Sequence, residues 1–265
     1  MAGSPTSFAD QHGAIRKEFA QQAAGWGQDA IDADLLWAVD RLAPRIENRV
    51  LDVAAGSGLL SRALAPRVHS VVAIDLTPEM LAEGRYCAAR EGLTNIRFDE
   101  CAAEALPYAD GAFDLVVTRF SIHHFQDPAI VAAEMVRVMR PGGRIGVIDM
   151  VSPEEADAAA RHNALEKLRD PTHTRALSGS ELTDLVERAG TLVEEVSNRD
   201  VSNELFPWLE RSRTPEGARR AILAAFDAEL AGGAPTGMRP YSEVGTRRFL
   251  HLWQVVTAQK PAARG

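Results

Sequence analysis

Cysteine is almost missing: Cys87 and Cys101 are the whole complement of a 265-residue chain. Two thiols cannot staple a disulfide framework, so small secreted scaffolds drop out and a reducing, cytoplasmic location is expected. Long hydrophobic runs are missing too. The stretch from Met1 to Gln28 has no unbroken apolar block, and no segment is long enough to span a bilayer, so no membrane span is expected. Positive charge is in deficit, with 29 Lys and Arg against 37 Asp and Glu, a formal net charge of −8. Duplex-gripping proteins depend on clustered cations that displace counterions, so no nucleic acid is expected as partner. A neutral or cationic small molecule suits this balance better. No internal repeat is evident. What is present is apolar material, 46% of residues, enough for one sizeable core and read as one domain over 1–265.

Periodicity divides that domain into an opening helical stretch (1–44), a regular strand–helix alternation (45–150) and a polar, helix-rich remainder (151–265). Arg49 to Val53 is a short apolar strand ended by Ala-Ala-Gly-Ser-Gly, after which Leu59 to Ala65 has helical spacing. Ser70 to Ile74 repeats the strand, and Thr77-Pro78 opens a helix, Thr as N-cap and Pro as first residue. Weaker or later strands are read at Asn95 to Phe98, Phe113 to Thr118 and Gly143 to Met150. A helix from Pro128 to Met139 stops at Arg140-Pro141-Gly142-Gly143. Beyond residue 150, Ser180 to Ala189 and Pro215 to Leu230 look helical, and Thr191 to Ser197 and Phe249 to Ala258 look like strands. The alternation implies an α/β, Rossmann-like fold with a mostly parallel sheet and helices on both faces, its last two strands closing one edge antiparallel. Ligands in such sheets sit at the carboxyl ends of the strands.

Asp52-Val53-Ala54-Ala55-Gly56-Ser57-Gly58 spans the turn from first strand to first helix, where glycine lets backbone approach a ligand. The same residues could simply make a tight turn. Asp75, ending the second strand, stands where a carboxylate can accept hydrogen bonds from both hydroxyls of a ribose. A pyrophosphate asks for a third glycine and no nearby acid; here Ser61 takes the glycine's place and Asp52 precedes the loop. S-adenosylmethionine carries an ammonium and a sulfonium, so an acid there attracts it and repels a dinucleotide. The alternative is that Asp52 only bonds loop amides.

Four stretches taken in order carry a family likeness: Val50 to Gly58; Ala73-Ile74-Asp75-Leu76-Thr77-Pro78-Glu79-Met80-Leu81; Ala103-Glu104-Ala105-Leu106-Pro107-Tyr108; and Leu115 to Thr118 with His123-His124-Phe125 and Arg140-Pro141-Gly142-Gly143. With them the chain resembles class I S-adenosylmethionine-dependent methyltransferases of the ubiquinone/menaquinone methyltransferase-like (type 11) group, most closely over residues 45 to 150. The resemblance implies a seven-stranded sheet and S-adenosylmethionine as cofactor, S-adenosylhomocysteine as product and no metal. It further implies a methionine end against Ala54, Gly56, Ser57 and Gly58, a ribose on Asp75, and an adenine between Leu76 and Met80. Ala102, Ala103 and Glu104 would meet the adenine edge. Relatives often have Asp where this chain has Ala102, which puts Cys101 or Glu104 forward as substitutes. Ala54 replaces a first glycine.

Methyl transfer needs alignment and a dry pocket, and a base only where the acceptor must lose a proton. Histidine titrates in the right range. His123 and His124 follow the fourth strand and are the first candidates, although Ile122-His123-His124-Phe125 could equally be a structural turn. His173, in Asp170-Pro171-Thr172-His173-Thr174-Arg175, either lines the acceptor cavity or anchors a loop. Arg119 is placed against the cofactor carboxylate or a local acid. Phe19, Trp26 and Trp37 resemble the aromatic face of a helical flap, or are ordinary core, and Leu205 to Leu209 and the helix after Pro215 read as cover over the acceptor. The expected partner is a small-molecule methyl acceptor, C-, O- or N-methylated, and a homodimer is possible. Two rivals stand beside this reading: a nicotinamide-dependent oxidoreductase on a similar sheet, and a relative that keeps the pocket but catalyses cyclisation.

Overall fold

The computed structural model describes residues 7–26 and 30–262, and the side chain of Trp26 lies outside the described residues. The chain opens with helices α1 (Phe8–Trp26) and α2 (Ala33–Arg41), then strand β1 (Arg49–Val53), α3 (Leu59–Leu64), β2 (Ser70–Asp75), α4 (Pro78–Arg90), β3 (Ile96–Glu100) and β4 (Phe113–Arg119). There follow α5 (Pro128–Val138), β5 (Met139–Val151), α6 (Ala156–Arg169), α7 (Gly179–Arg188), β6 (Leu192–Glu204), α8 (Leu205–Arg211), α9 (Glu216–Leu230), β7 (Tyr241–Glu243) and β8 (Thr246–Gln259).

The strands form one sheet in the order β3-β2-β1-β4-β5-β8-β6, with β7 hydrogen-bonded to β8 off that path. From β3 to β5 the pairs are parallel, and β8 pairs antiparallel with both β5 and β6. The sequence-based topology therefore stands, with two differences. The three-residue β7 is an eighth strand beyond the seven expected. The Arg140-Pro141-Gly142-Gly143 stretch, expected as a loop after the helix, falls within β5, because Met139 already has extended dihedrals (φ −80°, ψ 133°) and the chain passes straight from α5 into the strand.

Strands buried on both faces explain the near-continuous apolar runs. In β1, Leu51 and Val53 point to the face covered by α5 and α7, where Met135 and Val186 pack, while Val50 points to the face covered by α2 and α3 with Leu35 and Leu64. Strand β4 divides the same way, Val116 to one face and Leu115 and Val117 to the other. The carboxyl-terminal part builds a separate cluster, Leu165, Leu205, Trp208, Leu209, Ile222, Phe226, Met238 and Phe249, which ties α6, α8 and α9 to β8. That satellite core holds a wall of side chains beside the strand ends. No helix among the described residues is long and apolar enough to cross a membrane.

Candidate active site

The turn after β1 is shaped by three left-handed residues: Ala54 (φ 54°), Gly56 (φ 57°) and Gly58 (φ 70°). Gly56 and Gly58 take this conformation freely, whereas Ala54 holds it against a cost of roughly 1 kcal/mol. Gly58 also leaves room for Phe98, whose Cε1 would lie 2.8 Å from a Cβ there. The loop is fastened from the next strand. Asp75 at the end of β2 accepts Gly56 N–H through Oδ2 and Thr77 N–H through Oδ1, both at 2.8 Å. One carboxylate thus fixes both the loop and the start of α4, and each oxygen keeps a lone pair for a further donor. Burial raises the Asp75 pKa above its ordinary value, against the hydrogen bonds from Thr77 and Gly56.

Above these strand ends opens a cleft, the position at which ligands bind in open α/β sheets. Ala54, Gly56 and Ser57 form its floor, with Asp75 beside them. Leu76 and Met80 line one side, Ala102, Ala103 and Glu104 another, and Arg119 and His124 the far end. Of the residues proposed for the cofactor only Asp52 and Gly58 are set back from this lining.

Asp52 lies beneath the loop, 1% exposed. Its Oδ2 accepts the Ser61 hydroxyl at 2.6 Å, and its Oδ1 has no hydrogen-bond partner. Burial pushes its pKa up to about 7, opposed by Ser61 and by the Arg119 charge. The serine that replaces the third glycine is therefore the acid's donor. A buried carboxylate with an orphaned oxygen under the ligand floor is matched to a cation and mismatched to a pyrophosphate.

Helix α1 lies over the cleft, contributing His12, Ile15 and Phe19 to its lining. It is latched at three points: Gln11 Nε2 donates to the His124 and Thr172 carbonyls at 3.1 and 3.0 Å, His12 Nε2 is 3.2 Å from Glu104, and Arg16 donates to Leu76 O and Glu100 at 3.0 and 2.9 Å. Among the aromatic residues compared with a flap, Phe19 faces the cleft. Trp37, on α2, instead packs against the core cluster that α2 and α3 share, under the Arg41 and Arg199 guanidiniums.

A second chamber adjoins the first and shares Phe19, Arg119, Phe120 and His124 with it. His123 lines this chamber. Its Nδ1 is 2.6 Å from Asp149 Oδ1, and Asp149 also accepts Ile122 N–H at 2.9 Å and Met150 N–H at 2.8 Å. Burial alone would lower the His123 pKa; the Asp149 carboxylate, by charge and hydrogen bond, raises it above the ordinary value of 6.5. With Nδ1 committed to Asp149, Nε2 is the nitrogen left for an acceptor. His124 is held differently: burial and the neighbouring His123 charge lower its pKa to about 4, and its Nδ1 contacts Thr172. His173 lines neither cavity. It is 1% exposed, its Nε2 is 2.8 Å from Asn163, and burial lowers its pKa to about 3.

Asp149 escaped the sequence reading, although an acid in the apolar run Val147-Ile148-Asp149-Met150 at the carboxyl end of a strand is a usable signal. Phe120, at φ 54°, is the second strained residue of the site and meets Trp253 edge-to-face with ring centroids 4.7 Å apart. Strain of this kind gathers where surrounding structure imposes it, frequently at ligand sites.

Residues 51–147 match the model of the methyltransferase domain. The uncharacterized methyltransferase YcgJ of Bacillus subtilis is 32% identical over 179 residues, 68% of this chain and 71% of that protein. A demethylmenaquinone methyltransferase of Thermus thermophilus is 41% identical over 126 residues, 46% of this chain and 57% of that one. A crystal structure described as a methyltransferase from Bacillus halodurans superposes with a TM-score of 0.78 at 28% identity, covering 87% of this chain and 100% of the other.

Proposed function

The chain belongs to the S-adenosylmethionine-dependent methyltransferase family, and from that premise we propose that it methylates a small organic acceptor whose reacting atom must first lose a proton. S-adenosylmethionine supplies a methyl group on a positively charged sulfur and leaves as neutral S-adenosylhomocysteine. The residues present suit it. Asp75 offers its remaining lone pairs to the ribose diol, Leu76 and Met80 flank the adenine, and Ala102, Ala103 and Glu104 border the adenine edge. The glycine turn lets Ala54, Gly56 and Ser57 approach the amino-acid end, while Asp52 supplies negative charge from below and Arg119 positive charge from the side.

The single observation that carries the reading is the Asp149–His123 pair, 2.6 Å apart, in the chamber adjoining the cleft. His123 takes the acceptor's proton at Nε2, and Asp149 fixes the ring and stabilises the imidazolium that forms. Phe19 and the latched α1 keep water from the junction, where positioning supplies much of the acceleration. A hydroxyl or an acidic carbon meets this requirement best. Ring acceptors are supported by the aromatic walls and by the likeness to demethylmenaquinone methyltransferase. The test is release of S-adenosylhomocysteine from S-adenosylmethionine in the presence of hydroxylated ring compounds. Turnover that survives unchanged in both His123→Gln and Asp149→Asn would overturn the base assignment.

A further inference from the structure

The second chamber carries a polar wall for which proton removal at His123 has no use. Glu166, on α6, has a side chain only 1% exposed and organises two neighbours. Its Oε1 is 2.9 Å from His251 Nε2, and its Oε2 is 3.8 Å from Arg169 Nη1. Arg169 and His251 both line the chamber, with 14% and 8% of their side chains accessible. Arg169 Cζ lies 4.9 Å from the Trp208 ring centroid, and its Nε donates to Trp208 O at 3.4 Å. No other described protein group accepts a hydrogen bond from that guanidinium.

Burial pulls the Arg169 pKa below its ordinary value even though Glu166 and Asp170 oppose the shift. The guanidinium has lost more solvation than these acids return. A buried cation in that condition is completed by an anionic oxygen. Asp170 does not fill the part: its Oδ1 accepts Thr172 N–H and Oγ–H at 2.8 and 2.6 Å, and the ion pair that the guanidinium makes is with Glu166, not with Asp170. Three flat aromatic rings, Trp208, Trp253 and Phe120, face the chamber together with charged residues that include Arg119, Arg211 and Glu204.

We propose that the methyl acceptor is a planar, ring-bearing carboxylic acid whose carboxylate docks on Arg169 and His251 while its ring lies among Trp208, Trp253 and Phe120. This deepens the methyl-transfer reading and rests on it. A planar guanidinium held by stacking matches two carboxylate oxygens, which a point charge does not. The second ring nitrogen of His251, the first being held by Glu166, gives the carboxyl group a proton-sharing partner.

The test is calorimetric titration of the protein, loaded with S-adenosylhomocysteine, by naphthoate and by its neutral isostere naphthamide. The acid is expected to bind about tenfold or more tightly than the amide, the value of a hydrogen bond to a charged group. Arg169→Lys keeps a positive charge beside Glu166, so the fold is retained, and is expected to erase most of that preference with unchanged affinity for S-adenosylhomocysteine. Equal binding of acid and amide, no binding of either, or a preference that survives in Arg169→Lys overturns the carboxylate docking and leaves methyl transfer standing. Failure to bind S-adenosylhomocysteine overturns both.

Discussion

Asp52→Asn separates the two consequences of a buried acid beneath the cofactor loop. In the ligand-free protein the carboxyl is held at a pKa of about 7 against an ordinary 3.8. An acid whose folded pKa is raised loses stability as pH climbs from its unfolded toward its folded value, and the loss levels off above the latter. At about 1.4 kcal/mol per unit, ionising Asp52 costs the folded state roughly 4 kcal/mol above neutral pH and roughly 2 kcal/mol at about pH 5.5. Asparagine removes this pH-dependent cost and still accepts the Ser61 hydroxyl. Its amide hydrogens, however, occupy the place of the orphaned Oδ1 and forfeit about 1–3 kcal/mol. The net stability change is therefore small, but its difference between about pH 5.5 and pH 8.5 is about 2 kcal/mol in favour of the variant at high pH. Denaturant unfolding of both proteins at the two pH values measures it directly. Binding should move the opposite way, the variant losing affinity for S-adenosylhomocysteine because the ammonium has lost its counter-charge. A stability difference independent of pH, or unaltered ligand affinity, would refute the reasoning.

Asp75→Ala removes a charged acceptor of at least two hydrogen bonds, so affinity for S-adenosylhomocysteine should fall about a hundredfold or more while the circular dichroism spectrum is kept. His123→Gln should slow turnover by about 10²-fold or more. In the native enzyme the base must be unprotonated and its pKa is raised above 6.5, so turnover should decline as pH falls through a value above that; His124→Gln, which alters a ring already neutral at a pKa of about 4, should leave this limb in place. Ala54→Gly should stabilise the fold by about 1 kcal/mol by relieving the left-handed backbone, and Gly58→Ala should destabilise it by about 2 kcal/mol through backbone strain and collision with Phe98, both read from denaturant midpoints.

The sheet was legible because both of its signals are local. Apolar runs and the turn residues between them mark β1, β2, β4 and β8, and Asp52, Asp75 and the glycines fall within a few residues of those strand ends. Ala54, Gly56, Ser57 and Asp75 are placed in the cleft by their positions at strand ends, whereas Leu76, Met80 and Ala102 to Glu104 were placed there by the family resemblance. What escaped depends on contacts between residues far apart in the chain: Asp149 reaches His123 across 26 positions and Glu166 reaches His251 across 85. No spacing rule pairs them. Histidine type alone also misjudged neighbours. His123 and His173 look equally suited to catalysis in sequence, yet one ring lines the second chamber and the other is turned to Asn163. The helix α6, unread in the sequence, is what delivers Glu166 and Arg169 to the same wall.

Isothermal calorimetry of the purified protein with S-adenosylhomocysteine and, separately, NADH asks which nucleoside the acids beneath and beside the glycine turn select. The expected result is saturable one-to-one binding of S-adenosylhomocysteine and no heat from the dinucleotide. Uptake of NADH with indifference to S-adenosylhomocysteine would contradict the assignment of Asp52 and Asp75 and everything built on it.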